Sequence, residues 1–288
     1  MNHSTNFEWV TETLTPDAIT QYQVREVLGR EDTPFQSMQL VDTVRYGRML
    51  LLDGVVQTTE KDEFIYHEMM THVPLCSHPA PRRVLIIGGG DGGILREVLR
   101  HPDVEEAVMV EIDGRVIDFC RKYLPTISNG AFDDPRAAIV IDDGAKYVKG
   151  SHDPFDVCIV DSPDPIGPAR VLFQKDFYGN IARLLTDQGI FVRQTGSTFV
   201  QPAEQKETLQ ILREIYPFNA LYVYAVPTYV GGFFSSSFSS RKIDPATVPA
   251  ELIHKRFSKL VPGTSYYNPG LHLAAFQLPE YVKGNLAT

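Results

Sequence analysis

The run from Arg82 to Arg100, RRVLIIGGGDGGILREVLR, constrains the fold more than any other stretch of the chain. Val84 to Ile87 are apolar without a polar break, the pattern of a short strand covered on both faces. Gly88 to Gly93 form a glycine-rich turn, where missing side chains let the backbone bend sharply and approach a ligand. The residues that follow predict a helix with Ile94, Leu95, Val98 and Leu99 inward and Arg96, Glu97 and Arg100 turned to water. The next apolar run, Ala107 to Asp113, predicts a second strand ending at Glu111. An acid roughly 20 residues beyond the first glycine is where a Rossmann-type sheet holds ribose hydroxyls. A carboxylate there accepts both O–H donors of a vicinal diol.

The rest of the chain fits round this unit. Residues 1 to about 20 are polar and read as a loose arm carrying Trp9. From Gln21 to Thr59, strand-like runs broken by Gly29, Pro34, Gly47 and Gly54 predict a small antiparallel meander. Residues 60 to 76 suit a helix, with Phe64, Ile65, Met69 and Val73 at helical spacing and Tyr66, His67 and Glu68 beside that stripe. Taken alone, His67 reads as a structural histidine rather than a site residue. Beyond the glycine loop, helices near 114–123, 177–185 and 205–215 alternate with strands ending near Ile141, Asp161, Thr195 and Tyr229. From about residue 250 the chain reads as a helix and a capping tail. The order predicts an α/β fold: a Rossmann-like, methyltransferase-type, mostly parallel sheet with a small N-terminal antiparallel β domain, divided as 1–60 and 61–288. Ligands bind such sheets at the carboxyl ends of the strands. Asp91, Glu111, Asp142, Asp143, Asp161 and Asp164 each follow a predicted strand, which places them on one rim.

Charge narrows the ligand. The 288 residues carry 27 basic and 36 acidic side chains, a net charge of −9. Such a surface repels nucleic acid and anionic membrane on average and admits a cationic small molecule. Asp91 stands inside the glycine loop, where a carboxylate opposes a pyrophosphate or the carboxylate of ordinary S-adenosylmethionine but welcomes an amine. The expected ligand is therefore adenosyl-type, positively charged, with no carboxylate near Asp91. Cys76, Cys120 and Cys158 have no metal-ligand spacing and read as buried thiols of a reducing compartment. The first ten residues lack a signal-peptide pattern and no apolar run approaches ~20 residues, so a cytoplasmic protein is expected.

Taken together and in order, QTTEKDEFIYHEMMTHVPL, VLIIGGGDGG, MVEID, IDDG, DSPDPIGP, PTY and YYNP resemble the spermidine synthases, which are polyamine aminopropyltransferases. The resemblance runs from about Gln21 to Tyr281. It implies transfer of an aminopropyl group from decarboxylated S-adenosylmethionine to putrescine, giving spermidine and 5′-methylthioadenosine, with no tightly bound cofactor and no metal. It implies Asp161 as proton acceptor and Asp164 as a ligand of the substrate amine. Asp91 would hold the donor ammonium, and Gly88, Gly90 and Glu111 the nucleoside and its ribose. Asp143 with Gly144 would meet the adenine, with Gln36 and Pro168 in the same pocket. Tyr66 and His67 would sit at the amine end, Gln57 and Tyr229 would close it, and Ser162 to Phe173 would form a gate. The resemblance also implies a homodimer or homotetramer. Pro163, where the family usually has Ser or Thr, Val230, and the segment RQTGSTF depart from the pattern. They touch the region that measures acceptor length, so cadaverine, agmatine and longer polyamines stay open beside putrescine. Two other readings stand beside this one. A diamine N-methyltransferase using ordinary S-adenosylmethionine is opposed by Asp91. A non-catalytic polyamine-binding protein is opposed by the retention of Asp161, Asp164, Tyr66 and His67.

Overall fold

The computed structural model describes residues 8–15, 17–163, 167–260 and 263–287. Five strands form an antiparallel sheet in sequence order: β1 (Glu8–Thr15), β2 (Ala18–Asp32), β3 (Ser37–Thr43), β4 (Gly47–Leu52) and β5 (Val55–Thr59). The predicted loose arm is thus corrected. Glu8 to Thr15 pair with β2, Trp9 opposite Gln23, so the alternation begins before Gln21. The run GRMLLLDGVVQTT is two strands joined at Asp53–Gly54. Both turn residues have positive φ, 49° and 78°, as a two-residue hairpin requires.

The second sheet adds β6 (Arg83–Gly88), β7 (Glu106–Glu111), β8 (Ala137–Ile141), β9 (Phe155–Asp161), β10 (Leu185–Ser197), β11 (Phe218–Ala225) and β12 (Phe233–Ser240), in the order β11-β12-β10-β9-β6-β7-β8. From β10 to β8 every neighbour is parallel, and β12 runs antiparallel to both β10 and β11. The sheet is therefore mostly parallel, as expected, with one reversal that the sequence reading passes over. Serines mask β12, because its sequence is FFSSSFSS and shows little hydrophobic pattern. Inside the fold most of those hydroxyls find partners, Ser237 Oγ being the exception. Ser235 Oγ donates to the Gly196 carbonyl and Ser240 Oγ to that of Gly189, each at 2.9 Å.

Both faces of this sheet are covered. Val84 and Ile86 pack with helix α1 (Glu63–Ser77) and helix α2 (Gly93–Leu99), whereas Leu85 and Ile87 face Phe177 and Ile181 of the helix Lys175–Leu184. That two-sided burial explains why β6 has no polar alternation. Helix α3 (Gly114–Tyr123) joins the sheets, its Val116 and Phe119 packing on Met38, Leu40 and Leu50. The C-terminal region is three helices, Ala250–Phe257, Pro269–Ala275 and Glu280–Ala287, rather than one helix and a tail. The buried Glu68 carboxylate accepts the backbone N–H groups of Ser265, Tyr266 and Tyr267 at 2.7–2.8 Å and ties that region to α1.

The α2 expectation needs a second correction. Ile94, Leu95 and Val98 are buried as predicted, but Glu97 is buried too, and the Arg96 and Arg100 side chains are only 14% and 15% exposed. The amphipathic pattern marks the face toward the sheet, but α1 covers the charged face.

Gly88 fixes how closely β6 approaches β9. Its φ is +85°, and an added Cβ would lie 1.9 Å from the Asp161 carbonyl oxygen. Gly130 shares the left-handed conformation, φ +81°, but has open space around it. Gly88→Ala should therefore lose about 3 kcal/mol or more, combining strain with overpacking. Gly130→Ala should lose only about 1 kcal/mol, from strain alone. Urea unfolding of the two variants measures the difference, and equal losses would mean that the β6–β9 approach is not limiting.

Candidate active site

The neighbours β9, β6, β7 and β8 end side by side, and the residues at or just beyond their carboxyl ends include Asp161, Asp91, Glu111 and Asp143. All four line one cavity of about 460 Å³. The N-terminal sheet supplies its opposite wall, including Glu12, Leu14, Gln36, Leu50 and Gln57. Tyr66, His67, Gly88, Gly90, Gly144 and Tyr229 also face it, as do Pro163 and Val230. Asp142 does not join the rim row; it pairs with Lys146 Nζ at 3.0 Å on the outer side. Asp164 lies outside the described residues, as does the side chain of Pro168. The Pro168 backbone belongs to a short 3-10 helix, Gly167–Phe173. Of the expected gate, residues 164–166 lie outside the described residues.

One end of the cavity carries Glu111, Gln36 and Asp143. Glu111 is buried at the end of β7, and its Oε1 accepts the Asp113 N–H at 3.0 Å. Burial, opposed by that amide, pushes the Glu111 carboxyl up to about 7. Gln36 donates its amide to Asp113 Oδ2 at 3.2 Å, which orients it from β3's leading loop. Asp143 caps the short helix α4 (Gly144–Tyr147) by accepting the Ala145 N–H at 2.8 Å. An apolar floor of Ile87, Val110 and Val116 lies between these acids.

The other end carries Asp91 and Asp161 beside His67 and aromatic rings. Tyr66 Oη donates to Asp161 Oδ1 at 2.6 Å. Burial first, then the neighbouring Asp91 charge, raises the Asp161 carboxyl to about 6, with His67 and Tyr66 opposing. Tyr229 stands edge-on to Tyr66, ring centres 5.5 Å apart, and Phe234 packs on Tyr229 at 4.8 Å. Tyr229 Oη donates to the Gln57 carbonyl at 2.8 Å, joining the two sheets across the cavity. Its position is set by the buried Asp62, which accepts both the N–H and the hydroxyl of Thr228, at 2.9 and 2.7 Å. His67 lies between Asp91 and Glu63, and its imidazole is part of the site rather than a structural filler.

Several residues at this end escape a sequence reading. Gln194 donates to the Ser162 carbonyl at 3.1 Å and lines the cavity, as does Gln201. A polar residue closing an apolar strand is the signal that points to Gln194. Glu63 and Arg96 have no such signal, since each sits where a helix surface charge is ordinary. Among the described residues, no group of three or more His, Cys, Asp or Glu side chains converges as a metal ion would need. Among the same residues, no helix is long and apolar enough to cross a membrane.

The comparisons with known proteins agree with this geometry. Residues 63–248 match the family model described as the spermine/spermidine synthase domain, and residues 8–60 match the spermidine synthase tetramerisation domain. The polyamine aminopropyltransferase of Clostridium tetani is 46% identical over 275 residues, 96% of each chain. Polyamine aminopropyltransferase 1 of Pseudomonas aeruginosa is 47% identical over 271 residues, 94% of this chain and 95% of its own. A spermidine synthase crystallised with the transition state analogue AdoDATO superposes with a TM-score of 0.93 at 39% identity, covering 97% of this chain and 95% of that one. The spermidine synthase of Thermotoga maritima superposes with a TM-score of 0.90 at 38% identity, covering 97% and 94%. With its acids in one row and such likeness along nearly its whole length, the chain belongs to the spermine/spermidine synthase family, enzymes that transfer aminopropyl groups.

Proposed function

We propose that the enzyme moves the aminopropyl group of decarboxylated S-adenosylmethionine to putrescine, giving spermidine and 5′-methylthioadenosine, with Asp161 taking the proton. The observation that carries this reading is the division of one cavity into a hydroxyl-binding end, at Glu111 and Asp143, and a cation-binding end, at Asp91 and Asp161. A nucleoside carrying a positively charged tail without a carboxylate fits both ends at once. Glu111 holds the ribose diol, Gln36, Asp143 and Gly144 the base, and Gly88 and Gly90 leave room for the backbone to approach. Asp91 binds the ammonium of the tail. Pro168 would line the nucleoside pocket, and Asp164 would bind the acceptor amine.

The sulfonium is its own leaving group, so the nucleophile is the difficulty. An alkylammonium has a pKa of roughly 10, and only about one molecule in a thousand is free amine at pH 7. A carboxylate accepts the proton best when its own pKa approaches the working pH. Asp161, raised to about 6, is closer to that optimum than an exposed aspartate. Tyr66 points Oδ1 by its hydrogen bond, and the Tyr66, Tyr229 and Phe234 rings give the methylene chain an apolar wall. Tyr229 and Gln57 close the far side.

We take residues 1–60 and 61–288 as two functional units. The first supplies one cavity wall and, in this reading, self-association as a dimer or tetramer. Its match to a tetramerisation domain and its exposed Trp9 and Ile19 support this. The reading places the enzyme in the cytoplasm, acting on small molecules without nucleic acid or membrane partners.

Mass spectrometry of products from decarboxylated S-adenosylmethionine with putrescine, cadaverine, agmatine and spermidine tests the assignment. Putrescine should give the highest kcat/KM, and another amine in first place would replace it as acceptor. Asp161→Asn keeps an oxygen for Tyr66 but loses the base. It should lower kcat by roughly 10²–10⁴ while methylthioadenosine binding stays nearly unchanged; equal loss of both would mean a structural role. The proton acceptor must be ionised, and protonation of Asp161 as pH falls removes it. At saturating donor, the acid limb of kcat/KM for putrescine should therefore lie near pH 6, and a limb near pH 4 would argue against Asp161 as the base.

A further inference from the structure

His67 projects from α1 with its ring over Gly93, where an added Cβ would lie 2.1 Å from the imidazole Cε1. Its two ring nitrogens meet two carboxylates. Nδ1 is 2.5 Å from Glu63 Oε2, and Nε2 is 3.3 Å from Asp91 Oδ2. An ionised carboxylate only accepts hydrogen bonds, so both nitrogens must donate and the ring carries a positive charge. The three side chains are 3%, 10% and 11% exposed, which leaves little water to screen them.

Glu63 is itself held from behind. Arg96 on α2 donates to both of its oxygens, at 3.0 and 2.9 Å, and also to the Ile127 carbonyl at 2.6 Å. A bidentate guanidinium fixes the carboxylate in place and keeps it ionised. The other titratable groups facing His67 are Asp161 at the end of β9 and the Tyr66 ring, 5.6 Å away on α1. Burial disfavours the imidazolium, but Asp91 and then Glu63 outweigh it and raise the group to about 10. The Asp91 carboxyl is lowered in turn, burial opposing and the His67 charge prevailing.

The cation site of the free enzyme is therefore already occupied by a cation of its own. We propose that Glu63 and Arg96 are positioning residues that hold His67 as an imidazolium on Asp91, and that the alkylammonium of the aminopropyl donor takes the place of the His67 Nε2 proton. This rests on Asp91 as the donor-amine site in the function proposed above. The exchange balances: one ammonium enters, the Nε2–H bond breaks, and its proton leaves to the buffer. The Nδ1–H bond to Glu63 stays, and the freed Nε2 lone pair becomes a second acceptor for the ammonium beside Asp91.

Titration calorimetry at pH 8, in two buffers of different ionisation heat, counts the proton. Decarboxylated S-adenosylmethionine should release close to one proton more than methylthioadenosine, which lacks the amine. Its affinity should rise about tenfold per pH unit between pH 7 and 9, while that of methylthioadenosine changes little. Nitrogen-15 spectra of the free enzyme should show His67 protonated on both nitrogens at pH 8. Glu63→Gln removes an anion and should leave His67 neutral at that pH, with proton release and pH dependence largely lost. Glu63→Asp retracts the carboxylate but keeps its charge and should act in the same direction. Methylthioadenosine binding shows that each variant is folded. A neutral His67 in the wild type, or donor binding with no extra proton released, overturns the proposal. A donor that binds no more tightly than methylthioadenosine counts against Asp91 as the amine site, and the nitrogen-15 spectra then decide the Glu63–Arg96 hold by themselves.

Discussion

Four adjacent strand ends each deliver a carboxylate to one cavity, and the rest of the architecture answers that crowding. Asp161, Asp91, Glu111 and Asp143 are far apart in sequence, but the order β9-β6-β7-β8 turns them into a row. Like charges in a medium less polar than water repel strongly. The upward shifts of Asp161 and Glu111 express burial first and that repulsion second. The glycines of the β6 loop make the row possible by removing side chains where Asp161 and His67 come closest. Such a row costs folding free energy, and a positive charge placed among these acids would relieve the repulsion.

The fold manages the excess charge with two internal cations. His67 stands between Asp91 and Glu63, and Arg96 stands between Glu63 and Glu97. Polar contacts continue from Glu97 to His72, whose Nε2 lies 2.9 Å from Glu97 Oε2, and from His72 Nδ1 to His101 Nε2 at 2.9 Å. Helices α1 and α2 thus meet across charged groups as well as apolar ones. A buried pair of this kind seldom adds net stability over a hydrophobic contact, but breaking one partner leaves an uncompensated charge. Its effect here is geometric: it fixes the orientation of Glu63 and, through His67, of Asp91.

Legibility in the sequence follows from what each residue's neighbours are. Asp91, Glu111, Asp143 and Asp161 are readable because each ends an unbroken apolar run, and a parallel sheet places such ends on one rim. Tyr66 and His67 are readable only through resemblance, since their helical register looks like a core stripe. Glu97 and Arg96 misled because amphipathic periodicity reports one face of a helix and not what covers the other. Glu8 to Thr15 looked loose because only half of an edge strand is apolar. FFSSSFSS hid because most of its hydroxyls find partners on other segments, as Ser240 Oγ finds the Gly189 carbonyl and Ser236 finds Tyr224 Oη at 2.7 Å. Propensity sees none of these partners.

Pro163 shows how a departure from the family pattern is absorbed. A proline gives up its N–H and drives the residue before it into an extended conformation. At the exit of β9, however, the hydrogen bonds run to carbonyls. Gly89 donates to the Asp161 carbonyl at 3.1 Å, and the Gln194 amide donates to that of Ser162 at 3.1 Å. Neither bond needs a donor at position 163. Asp161 stays anchored by Gly89 behind and by Tyr66 at its carboxylate. A serine or threonine at this position would bring a donor and a hydroxyl to the cavity wall; the proline brings a rigid apolar ring. The position of Asp161 is thus insulated from the substitution, and its effect falls on the shape of the cavity, which Pro163 and Val230 both line.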